Sequence, residues 1–200
     1  KTDAVMYNPD QIQAFSIDFV KRHKDRPFFL YYAMNIPHTN NEAGNTSPLG
    51  HGMECPDYGE FMNKDWPDAE KGFAQLVRFL DDEVGRIMAE LKRLNLHENT
   101  LVMFSSDNGP EDYRIGNAAN AGVGSPGPLR ARKRSMHEGG IRTFGLVRWP
   151  GKIKPGTITN ELMSHNDWIP TLCSLAGEPA IVDKLKQGYK ANGIDYKVHL

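Results

Sequence analysis

The chain has 200 residues, 39% hydrophobic and 24% charged, with a formal net charge of −1, which is enough length for one sizeable core or a domain with a small annex. The near-neutral balance gives no global reason to expect nucleic acid or an anionic membrane as partner, and no apolar run approaches the roughly 20 residues that cross a bilayer. Two cysteines, Cys55 and Cys173, form neither a disulfide framework nor a zinc pattern and read as unpaired small apolar residues.

The opening "KTDAVMYNPD" has no initiating Met and reads as the cut edge of a longer protein. A helix is predicted from Pro9 to His23, with Ile12, Phe15, Phe19 and Val20 on one face. "PFFLYYAM" is a continuous apolar run that fits a strand buried on both sides, and it stops at "NIPHTN". An irregular excursion rich in Asn, Gly, Pro and Asp follows, with one glycosylation acceptor pattern at Asn45. From Asp68 the apolar residues Phe73, Leu76, Val77, Leu80, Val84, Ile87, Met88, Leu91 and Leu94 recur at helical spacing.

"TLVMFSS" is the next buried strand, followed by a long Gly/Asn/Pro loop and the basic stretch "RARKRSMHEGGIR". "TFGLVRW" makes a third apolar strand, and "NDWIPTLCSLAG" a short helix capped by Asn166 or Asp167 and stopped by Gly177. Asn192-Gly193 lies between two alternating segments, with Ile194, Tyr196, Val198 and Leu200 on one face, and reads as a hairpin. Strand, helix, strand, loop, strand, helix is the α/β alternation of a layered sheet. The expected organisation is an α/β domain over residues 1–180, with a small antiparallel subdomain starting at 181–200.

Three strand ends and loops hold the candidate chemistry. Asp107 and Asn108 follow a buried strand, and by themselves they are most simply a turn. A hairpin needs a second strand at once, however, and "GPEDYRIGNAANAG" is not one. In open α/β sheets ligands collect beyond the carboxyl ends of strands, and Asp and Asn there are hard oxygen donors for Ca²⁺ or Mg²⁺. His38 sits past another apolar run, where it can donate to an anionic oxygen. Arg130, Arg132, Lys133, Arg134 and Arg142 crowd around "HEGG" in an otherwise neutral protein. Each alone is a solvated charge; as a cluster they make a positive field for an anionic substrate.

"PFFLYYAMNIPHTN", "TLVMFSSDNGPE", "LRARKRSMHEGGIRTFGLVRWPGKIKPG" and "SHNDWIPTLCSLAGEP" resemble, in order, successive blocks of the type I sulfatases, arylsulfatases and N-acetylgalactosamine-6-sulfatases in flavour, within the alkaline-phosphatase-like superfamily. The resemblance runs from about Arg26 to the C-terminus, and its Lys-x4-Glu-Gly-Gly block followed by "RWPGKIKPG" is specific. It implies a partial alkaline-phosphatase-like sandwich, with a mixed, mostly parallel sheet and flanking helices. It further implies that Asp107 and Asn108 are two ligands of a Ca²⁺ (or Mg²⁺) site, and that Lys133 bridges the substrate's sulfate. His38 would contact sulfate and assist the leaving oxygen, while Asn40 stands where the family often has proline.

Arg132, Arg134, His137 and His165 receive no family role. The family's nucleophile is a formylglycine made from Cys-x-Pro/Ala-x-Arg, and neither "CPDYG" at Cys55 nor "CSLAG" at Cys173 fits. The implied protein is therefore a sulfuric ester hydrolase acting on an aryl or carbohydrate sulfate, of which this chain is an inactive middle-to-late part. The family's usual homes are periplasm, lysosome or the extracellular space. Two other readings stay open: a phosphatase, phosphodiesterase or phosphonate hydrolase of the same superfamily, and a non-catalytic binder of sulfated glycans.

Overall fold

The computed structural model describes residues 7–40, 51–111, 125–187, 189–191 and 194–196. Asn45, Asn192-Gly193, Val198 and Leu200 lie outside the described residues. The chain divides into two compact units, Lys1–Pro155 and Gly156–Leu200.

In the first unit, helix α1 spans Asn8–His23 and helix α2 spans Asp68–Arg93. Both carry acids in the first turn and bases in the last, which complements the helix dipole. They pack on each other through a face that differs from the expected one. Pro9, Gln13, Ser16 and Val20 are the buried residues of α1, while Phe15 is exposed. The reason is a polar seam. Glu83 of α2 is fully buried and accepts hydrogen bonds from Tyr32 Oη at 2.8 Å and an Arg86 guanidinium nitrogen at 3.1 Å. The same Arg86 nitrogen donates to Gln13 Oε1 at 2.8 Å. A buried carboxylate is tolerated only when its lone pairs are satisfied, so these partners decide which face of α1 turns inward.

Around that seam the apolar core gathers Ile36, Met53, Ala69 and Leu76, with Tyr7, Met34, Phe73, Phe79 and Leu80 packed against it. Tyr7 and Phe79 meet edge to face with ring centroids 5.5 Å apart.

Strand β1, Val102–Ser105, pairs antiparallel with strand β2, Gly145–Arg148, in the register Phe104↔Leu146. Both strands fall in the apolar runs predicted for them. The ladder is a two-stranded antiparallel sheet, and the mostly parallel pairing expected from the resemblance does not occur among the described residues. "PFFLYYAM" forms no strand either, which corrects the expectation of a strand buried on both sides: Phe29 and Tyr31 are exposed. An apolar run becomes a strand only where a neighbour pairs with its backbone, and no described segment does so here.

In the second unit Asp167 Oδ2 accepts the Ser164 backbone N–H at 2.7 Å, opening a short turn that runs into helix α4, Trp168–Leu175. Gly177, at φ 101°, ends it as expected, with the Glu178 N–H returning to the Cys173 carbonyl at 2.9 Å. Between β1 and β2 lies the one-turn helix α3, Glu138–Ile141. After α4 come helix α5, Ile181–Lys186, and the hairpin of β3, Tyr189–Ala191, with β4, Ile194–Tyr196.

Candidate active site

The chain leaves β1 at Ser105 and enters Asp107-Asn108-Gly109-Pro110 as an open loop. That loop is seamed to the basic stretch by backbone hydrogen bonds. Gly109 N–H donates to the Gly140 carbonyl at 2.9 Å, and Lys133 N–H donates to the Pro110 carbonyl at 2.8 Å. Gly139 N–H reaches back to the Arg130 carbonyl at 2.9 Å. A Cβ on Gly109 would sit 2.2 Å from the Gly139 oxygen, and one on Gly139 would sit 2.0 Å from the Ala131 oxygen. Only glycine allows backbones to approach so closely.

The loop that carries Lys133 is itself strained. Ala131 and Arg134 both lie in the left-handed region, at φ 64° and 71°. Each non-glycine residue there costs about 1–2 kcal/mol, and such strain collects at functional sites.

This geometry brings Lys133 to His38. The ammonium Nζ donates to His38 Nε2 at 3.1 Å. On the other side of the ring, Nδ1 lies 2.7 Å from the Thr39 carbonyl oxygen, which can only accept. The proton of the neutral ring therefore sits on Nδ1, and the Nε2 lone pair faces the lysine. His38 is reached through the Ile36-Pro37 turn, whose peptide is cis, and the His38 N–H closes the turn onto the Asn35 carbonyl at 3.1 Å. Asn40, the departure from the family's proline, has a use for its own N–H: it donates to the Gly52 carbonyl at 2.8 Å. Its side-chain amide meets Glu54 at 3.0 Å.

Asp107 is exposed and makes no hydrogen bond or ion pair among the described residues. Asn108 commits its amide nitrogen to the Gly109 carbonyl at 2.8 Å, which leaves Oδ1 as an acceptor. A free carboxylate beside a free amide oxygen suits a hard cation. Two donors do not complete a site, and among the described residues no group of three His, Cys, Asp or Glu side chains is placed to hold a metal.

Sequence reasoning passed over Glu111, although it stands two residues after Gly109 in the quoted stretch. Its carboxylate pairs with Arg134 and lies 3.9 Å from Lys133 Nζ. Arg134 is thereby occupied within the protein. His137 is exposed beside the loop, and His165 is exposed in the second compact unit. Both cysteines are free. Burial, with Asp57 adding, pushes the Cys55 thiol up to about 11, so it is a poor nucleophile near neutral pH.

A family model described as Sulfatase matches residues 4–178. Human arylsulfatase A is 37% identical over 170 residues, covering 83% of this chain and 29% of that protein. Rat steryl-sulfatase is 35% identical over 172 residues, covering 86% and 27%. Dog N-acetylgalactosamine-6-sulfatase is 35% identical over 175 residues, covering 86% and 30%. The chain thus spans less than a third of the length of these curated relatives. Among solved structures, Ps i-CgsB in complex with k-i-k-neocarrahexaose is similar with a TM-score of 0.68 at 30% identity, over 92% of this chain and 40% of that one. PsFucS1 sulfatase from Pseudoalteromonas sp. is similar with a TM-score of 0.55 at 26% identity, over 84% and 30%. On the family model and these relatives, the chain belongs to the sulfatase family and has part of its alkaline-phosphatase-like α/β fold.

Proposed function

We propose that the protein carrying this chain is a sulfuric ester hydrolase for aryl or carbohydrate sulfates, and that this chain supplies its sulfate-binding lysine, its leaving-group histidine and two of its metal ligands. The observation that carries the reading is the 3.1 Å contact between Lys133 Nζ and His38 Nε2, on loops that converge at the end of β1. Lys133 places a positive charge where sulfuryl oxygens gain negative charge, which is where electrostatic catalysis acts. His38 holds that ammonium through Nε2, and Thr39 fixes its tautomer. When the substrate's bridging oxygen displaces the ring as the lysine's partner, the proton that neutralises the departing alkoxide or phenoxide comes from this Lys133–His38 pair.

Asp107 and Asn108 would hold Ca²⁺, which supplies positive charge next to the sulfate and to a formylglycine contributed from outside this chain. A glycan substrate is supported by the similarity to a structure solved with a neocarrahexaose.

The test is turnover by the intact protein on p-nitrophenyl sulfate, a sulfated oligosaccharide and p-nitrophenyl phosphate. Lys133→Ala is expected to lower kcat/KM by about a hundredfold or more, and His38→Ala to lower kcat more than it raises KM. Full turnover with Lys133→Ala, or faster release of phosphate than of sulfate, defeats the reading.

A further inference from the structure

We propose that Glu111 is a positioning residue for Lys133, holding the ammonium against His38 while leaving it uncapped for the substrate. The proposal rests on the reading of Lys133 and His38 above. Three consecutive cations, Arg132, Lys133 and Arg134, occupy one loop, and like charges so close repel one another. The Glu111 side chain is only 11% exposed and lies among them. One of its oxygens takes a guanidinium N–H of Arg134, the strong charge-assisted bond of the set. Its other oxygen stays 3.9 Å from Lys133 Nζ, which is attraction without a hydrogen bond.

That division is useful. A carboxylate in contact with the ammonium would satisfy it and compete with an incoming sulfate. Held back by Arg134, Glu111 instead orients Lys133 by charge, and the lysine's protons remain for His38 and for the anion. Glu111 also follows directly on Asp107-Asn108-Gly109-Pro110, whose Pro110 carbonyl receives the Lys133 N–H at 2.8 Å. One carboxylate thus ties the candidate metal loop to the lysine loop by charge, beside the tie made by backbone.

The experiment is a double-mutant cycle in the intact protein with p-nitrophenyl sulfate. Glu111→Gln is expected to lower kcat about tenfold to hundredfold with little change in KM, because the lysine is misplaced and not removed. Glu111→Asp should recover part of that loss. In a Lys133→Ala background, Glu111→Gln should change kcat by no more than about twofold, since its effect passes through the missing ammonium. An equal loss in both backgrounds, or no loss in either, overturns the proposal. Should Glu111→Gln not fold, judged by thermal melting, Arg134→Gln takes its place: released from Arg134, Glu111 should close on Lys133 and raise KM severalfold, an effect absent in the Lys133→Ala background, and an equal effect in both backgrounds or none in either overturns the proposal. If Lys133→Ala alone leaves turnover intact, the assignment of the lysine has failed, which is a separate outcome.

Discussion

His51 shows how one buried ring records its protonation state in the fold. Its Nδ1 accepts the Met53 backbone N–H at 3.1 Å, so Nε2 carries the proton and donates to Tyr58 Oη at 3.2 Å. Burial depresses its pKa below the usual imidazole value, despite the raising influence of Asp68 and Glu54. The unfolded chain therefore takes up this proton first as pH falls. The stability from neutral His51 is complete above about pH 6.5 and is lost as pH drops below it, toward the depressed folded value. Burial raises Glu83 above the ordinary carboxylate range, against the pull of the Tyr32 hydroxyl and Arg86. Its sign is opposite: ionised Glu83 weighs against the fold, and acidification toward the usual carboxylate range relieves it. Between about pH 7 and 5.5 the urea midpoint should fall through His51, and His51→Asn should flatten that decline. At this scale the sequence singled out His38 and Lys133, which the folded chain brings to 3.1 Å of each other, and it placed Asp107 and Asn108 just past a strand, where β1 ends. Glu111 was not singled out, since its partner Arg134 stands 23 positions further along the chain.

Helix α2 carries two glycines with opposite meanings. At Gly85 a Cβ would meet nothing within 4 Å, whereas at Gly72 it would meet the Met53 carbonyl oxygen at 2.5 Å. Gly85→Ala should raise stability by about 0.5–1 kcal/mol, because alanine surrenders less backbone freedom in a helix. Gly72→Ala should lower it by about 1–3 kcal/mol, because the segment under the helix has to shift. Chemical denaturation of the two variants side by side reads both signs, and a loss at Gly85 or a gain at Gly72 contradicts this packing. The long 3.6-residue period of α2 made it the most readable element. The inward face of α1 was harder to read, since buried Gln13 bonds to partners 70 and 73 positions away, the Glu83 carbonyl and Arg86. "PFFLYYAM" was the opposite case: its composition suits a strand, but a strand is a property of a pair.

At the level of the whole molecule, the proposed function gives this chain a share of a site, and its described strands form two-stranded ladders. Asp107 and Asn108 are two oxygen donors without a third acidic or imidazole ligand among the described residues. Two-stranded ladders are marginal by themselves, and exposed Phe29, Tyr31 and Leu146 add apolar surface. Expressed alone, the 200-residue chain should release no detectable sulfate from p-nitrophenyl sulfate and should brighten a hydrophobic dye such as ANS. Sulfate release by the isolated chain would show that the proposed division of the site is wrong. No described helix is long and apolar enough to cross a membrane.

The glycine seam at Gly109, Gly139 and Gly140 has a further consequence for how such a site diversifies. Its joints are main-chain atoms, so they do not depend on which side chains surround them. Met136 is 93% exposed and His137 is exposed, three and four residues after the lysine in the same loop. Replacements at those positions change the outer surface of the loop while the lysine keeps its register with the strand end. The side chains on the outside of this loop are free to change while the main-chain joints beneath them hold.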